Sequence, residues 1–132
     1  MALKNELLLL MMERLNTSSE GTFRTDVIVV WHAVLGKFSP LIGPTSVSIL
    51  FLRSLDANRA AFPWLPPSRQ GGVETPFSAF EAILEAQSCD EAVRATRAML
   101  GTYIDSLFTL IGITLTSQFV CSAFRRDGDQ KN

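Results

Sequence analysis

A short pattern occurs twice in this chain, and the duplication constrains its fold more than any other feature. Leu41-Ile42-Gly43, followed by Thr45 and Ser48, returns as Leu110-Ile111-Gly112, followed by Thr114 and Ser117. The apolar positions upstream agree as well: Val30, Trp31, Val34, Leu35 and Phe38 fall opposite Met99, Leu100, Tyr103, Ile104 and Leu107. Downstream, Leu50, Phe51 and Leu55 fall opposite Phe119, Val120 and Phe124. Apolar residues at this spacing mark one face of a helix, and the glycine between them marks a turn. The expectation is an all-α fold: a compact bundle of about five to six helices. Two pseudo-repeated helix–Gly turn–helix units, about 22–55 and 91–124, would make up most of it.

With 132 residues, 47% of them hydrophobic and 19% charged, the chain is sized for one helical domain spanning 1–132 with a real core. A formal net charge of −1 argues against a nucleic-acid partner, which calls for a basic face. The nearest basic cluster, Arg125-Arg126 with Lys131, is diluted by Asp127 and Asp129. The two cysteines, Cys89 and Cys121, and the single histidine, His32, form no metal-ligand spacing. No metal and no cofactor is expected, and the thiols read as reduced cysteines in the cytoplasm.

Six helical segments follow along the chain. The first covers Ala2 to Leu15, with Leu3, Leu7, Leu10, Met11 and Leu15 in a stripe; its flanks (Glu6, Glu13, Arg14) do not resemble an export signal. The second covers Thr22 to Phe38 and is expected to close at Pro40, because proline removes a backbone donor. Pro44 then opens the third at its first turn, where a missing N–H costs nothing. Residues 62–76, with Pro63, Pro66, Pro67, Pro76 and Gly71-Gly72, form a loop between the two copies. Its Phe62, Trp64 and Leu65, too apolar for a simple spacer, either fold back to plug one end of the core or present a surface to a partner. The fourth helix covers Pro76 to Gln87. Ser88-Cys89-Asp90-Glu91 is a capping box that starts the fifth. At Gly112, where Ile113 replaces the proline of the first copy, the helix is expected to bend or continue, with a sixth segment to about Arg126 and a frayed tail beyond.

Ser106 to Phe124 contains no charged residue and is the strongest membrane candidate, but a buried core helix accounts for it better, and a membrane role is disfavoured. Catalytic patterns are absent: Gly71-Gly72 lacks the lysine of a phosphate loop, and Asp90-Glu91 is explained by helix capping.

One window has a family resemblance. His32-Ala33-Val34-Leu35-Gly36-Lys37 resembles the phosphoacceptor segment of histidine phosphotransfer domains. In that family an exposed helical histidine is followed by an apolar residue at +2, a lysine at +3 and a glycine at +4. Val34 and Gly36 fit, whereas Leu35 stands where the lysine belongs and Lys37 comes two positions late. The resemblance implies a phosphorelay module acting through His32. The neighbouring residues argue otherwise, since Val29, Val30 and Trp31 surround the histidine and predict a partly buried imidazole.

The leading expectation is therefore a non-enzymatic cytoplasmic domain that binds a protein partner, itself as a homo-oligomer, or a small apolar ligand. Its candidate contact residues are Phe62, Trp64 and Leu65 in the loop, with Trp31 and Tyr103 on the paired helices. The phosphorelay module is the second reading. Peripheral membrane attachment through the first helix or the C-terminal apolar stretch is the third.

Overall fold

A computed structural model describes residues 2–66 and 76–124, and every regular element among them is helical. The order is α1 Ala2–Met12, a 3-10 turn at Leu15–Thr17, α2 Phe23–Ile42, α3 Pro44–Asn58, α4 Pro76–Leu84, α5 Cys89–Ile111 and α6 Ile113–Phe124. The expected all-α bundle is what forms.

Its centre is built by the apolar stripes of α2, α3 and α5. Val27, Val30, Trp31, Val34 and Phe38 from α2 meet Leu50, Phe51 and Leu55 from α3 and Met99, Leu100, Tyr103, Ile104 and Leu107 from α5 in one buried cluster. Burying each of the large side chains contributes about 1.5–3 kcal/mol. Trp31 is the hub. Its ring meets Phe51 edge-on at 5.0 Å and Tyr103 at 5.6 Å. Phe51 continues the chain of rings to Phe77 at 5.4 Å and Phe80 at 5.7 Å, which ties α4 to the core. The buried Tyr103 hydroxyl donates to the Val47 carbonyl at 3.1 Å, linking α5 to α3. The indole N–H of Trp31 is buried and makes no hydrogen bond.

Contacts along the bundle set the directions of the helices. At one end, the Cys89 amide donates to the Glu20 carboxylate at 3.0 Å, placing the start of α5 beside the approach to α2. Trp31 and Tyr103 meet midway. Beyond the glycine that follows α5, Phe119 stacks on Phe38 at 5.5 Å, and Lys37 donates to the Ser122 hydroxyl at 2.8 Å. So α2 and α5 run parallel, and Gly43 and Gly112 lie at the same end of the molecule. In α1 the direction is opposite: Lys4 pairs with Asp105 at 2.8 Å, and Leu8 lies against Gly101.

Several helix limits differ from expectation for physical reasons. Pro40 does not end α2; it sits inside the last turn, and the helix runs on to Ile42. So near the C-terminus the proline removes one intrahelical bond, while the Gly43 amide still donates to the Ser39 carbonyl at 2.8 Å. The break comes at Gly43 instead, with φ 93° and ψ 148°. Gly112 also stops its helix, with φ 94° and ψ 162°, so neither a bend nor a continuous helix forms there. A glycine in this conformation is sufficient, and the proline at the next position is not required. The charge-free stretch from Ser106 to Phe124 is consequently divided between two helices. The first helix ends at Met12 before a 3-10 turn, and the fourth at Leu84. Ser88 caps α5 as its sequence predicts, accepting from the Glu91 amide at 3.2 Å. Most of the Pro/Gly-rich loop and the tail beyond Phe124 lie outside the described residues.

Candidate functional site

The contact residues expected from sequence occupy the interior or seal it. Trp31 and Tyr103 are fully buried. Phe62 and Leu65 are buried as well, as members of the common core cluster. Trp64 is half-buried, and its indole N–H donates to the Glu91 carboxylate at 3.1 Å. The Arg94 guanidinium lies 6.0 Å over the Phe62 ring, and Arg59 donates to the Pro66 carbonyl at 2.8 Å. Together these contacts close the end of the core at which α5 begins.

His32 is exposed, which corrects the expected burial. The buried stripe of α2 runs through Val27, Val30, Trp31, Val34 and Phe38, and a residue next to Trp31 points off that stripe. One edge of the imidazole is covered, with the Phe77 ring 5.3 Å away. One turn along, Gly36 faces open space: a Cβ there would meet nothing within 4 Å.

The other end joins the charge-free C-terminal stretch to the turn around Gly43. Among the described residues, the exposed large hydrophobics are Leu9, Val29, Leu41, Ile49, Leu110, Ile113 and Leu115. The last five flank the two glycine turns. Ile49 is 49% exposed and Leu110 53%. Around them lies an unbroken absence of charge, from Phe38 to Leu52 and from Ser106 to Phe124. That absence was visible in the sequence. What was missing was that both stretches come to one end, because α2 and α5 are parallel.

This end is closed internally where its backbone turns. The Val47 amide donates to the Gly43 carbonyl at 3.1 Å and the Thr116 amide to the Gly112 carbonyl at 3.2 Å. The Thr116 hydroxyl also donates to the Gly112 carbonyl, at 2.8 Å. A shallow open depression of about 400 Å³ lies nearby, lined by Ser117, Gln118, Cys121 and Ser122. Its lining comes entirely from one helix, α6, and most of the surface it presents is apolar.

The remaining chemical groups are dispersed. Among the described residues no three His, Cys, Asp or Glu side chains gather to hold a metal ion. Both cysteines are free and half-buried. Desolvation pushes the Cys89 thiol pKa up, reinforced by the negative charges of Glu20, Asp90 and Asp26. Burial alone does the same, and more strongly, to the Tyr103 phenol. Among the described residues one helix, α2, is long and apolar enough to cross a membrane, with a mean hydropathy of 1.3 over its most apolar window, although its inner face belongs to the core.

No family profile, curated protein or solved structure matches this chain.

Proposed function

We propose that this chain is a non-enzymatic helical binding domain of the cytoplasm, and that it associates through the apolar end formed around Gly43 and Gly112. One observation carries the reading: five of the exposed large hydrophobic side chains are grouped around two turns that share an end and lack charge. Scattered single apolar residues are normal on a monomer surface, whereas a contiguous patch marks a contact site. The depression on α6 is open and lined by a single helix, which favours a contact surface over an enclosed site for a small apolar ligand.

The paired sequence patterns extend this proposal. Each copy ends a core helix on a glycine at nearly the same φ and ψ and starts a second helix at the next residue. We take the two as pseudo-repeats of one helix–Gly turn–helix unit, which together supply the two halves of the contact surface.

The test is a charge at the centre of the patch. Ile49→Glu combined with Leu110→Glu is expected to abolish the fluorescence enhancement of an apolar-surface dye and any self-association seen by light scattering. Leu9→Glu, a change at an equally exposed leucine on α1, is expected to preserve both. Indifference of both readouts to the double change would overturn the proposal.

A second reading is supported by the exposure of His32 and the open space at Gly36. In it, an imidazole nitrogen attacks the phosphorus of an acyl phosphate donor, the carboxylate leaves, and the phosphoryl group is held on His32 until it passes to a second carboxylate. It predicts phosphoryl uptake from a phosphorylated response-regulator-type donor that His32→Gln eliminates; no uptake by the native chain excludes it.

A further inference from the structure

We infer that the apolar end docks onto a lipid bilayer interface carrying anionic headgroups; this rests on the association reading above and names its occupant. Three properties of this end converge on a lipid surface. The turns can enter an apolar medium without moving any ionisable side chain out of water, because neither flanking stretch carries one. Several of the hydroxyls there are already turned onto their own helices: Thr109 donates to the Asp105 carbonyl at 3.2 Å, Thr116 to Gly112 and Ser117 to Ile113, each at 2.8 Å. That arrangement lowers the cost of drying them.

The third property is charge. Lys37 and Arg53 stand behind the tip, about 9 and 15 Å from Gly43 along the helix axes. Asp105 on α5 and the exposed Glu6 on α1 lie at a similar level, and Asp105 is already paired with Lys4 at 2.8 Å. Lys4, Lys37 and Arg53 set against Glu6 and Asp105 leave this collar with a balance of one positive charge. An apolar body lying about 5–10 Å deep in the headgroup boundary brings such a collar to the level of lipid phosphates, to which lysine and arginine stems can extend. The first turn of α3, which has no side-chain cap, limits insertion to the interface, where phosphate and ester oxygens can accept from its free amides.

The full chain should float with vesicles of phosphatidylcholine mixed with phosphatidylglycerol, more weakly with phosphatidylcholine alone, and less as salt rises. Ile49→Glu combined with Leu110→Glu should weaken partitioning by about tenfold or more, while Leu9→Glu leaves it unchanged. Lys37→Gln combined with Arg53→Gln should lower binding to the mixed vesicles by about tenfold and change binding to the neutral ones little. Circular dichroism of each variant confirms that the helices persist. Absence of flotation, or equal loss with Leu9→Glu, overturns the lipid assignment. If the chain does not float but forms a dimer that the double glutamate variant disperses, the lipid assignment fails and the association reading stands. If neither flotation nor self-association depends on Ile49 and Leu110, both fail.

Discussion

Gly43 and Gly112 hold nearly the same backbone conformation, φ 93° and ψ 148° in one and φ 94° and ψ 162° in the other. Each ends a long core helix and releases a second helix at the following residue. This region of φ and ψ is accessible to glycine and strained for any residue with a Cβ. At neither position would a Cβ meet another atom within 4 Å, so the cost of alanine there is backbone strain alone. Gly43→Ala and Gly112→Ala should each destabilise the fold by about 1–3 kcal/mol in urea unfolding. An unchanged midpoint for either would mean that its turn is not required.

Gly101 and Gly36 should respond with the opposite sign. Both lie inside helices with negative φ. A Cβ at Gly101 would sit 3.7 Å from the Lys4 side chain and 3.8 Å from that of Leu8, which is ordinary contact, and one at Gly36 would meet nothing. Alanine then gains helix propensity without a clash, and each change should stabilise by about 0.5–1 kcal/mol in the same unfolding experiment. Destabilisation by Gly101→Ala would show that α1 packs more tightly on α5 than these distances imply.

Much of this architecture is local, and local features were legible. The apolar stripes of α2, α3 and α5, the Ser88 cap and the turn at Gly43 follow from spacing and from the chemistry of single residues, whereas the stop at Gly112 does not, because no proline follows it. Pro40 was misleading because sequence identifies the bond a proline removes but not whether the neighbouring turn can spare it. His32 was misread because apolar neighbours in sequence point to different sides of a helix. Phe62 and Leu65, too apolar for a simple spacer, allow either a plug over one end of the core or a surface for a partner, and the closure that Trp64, Arg59 and Arg94 provide selects the plug. Of the apolar end, only the charge-free stretch from Ser106 to Phe124 was legible, and its union with the stretch around Gly43 depends on the parallel course of α2 and α5.

Removing the Tyr103 hydroxyl should isolate one buried bond. Tyr103→Phe retains the ring against Trp31 and loses the donation to the Val47 carbonyl, at a cost of about 1 kcal/mol. It should also change the alkaline limb of stability. The folded phenol has its pKa raised above the 10.0 of a free tyrosine, so the unfolded chain releases its proton first. The contribution is complete below pH 10.0 and is lost as pH rises from there through the folded value. A wild-type alkaline limb no steeper than that of Tyr103→Phe would contradict the buried placement.

Capping of α5 is separable from its packing. Ser88→Ala removes the acceptor for the Glu91 amide and should cost about 1 kcal/mol. Asp at the same position should recover most of the loss, since a carboxylate serves both as cap and as partner to the helix dipole. Failure of Ser88→Asp to recover stability would point to a role for the serine other than capping.

Carbene footprinting of side chains, with and without mixed anionic vesicles, tests the role of the two-glycine end most directly. The expected result is protection of Leu41, Ile49, Leu110, Ile113 and Leu115 on binding, with Leu9 and Val29 labelled as before. Protection centred on Leu9 or Val29, or none at the five, would contradict docking of this end onto a lipid surface.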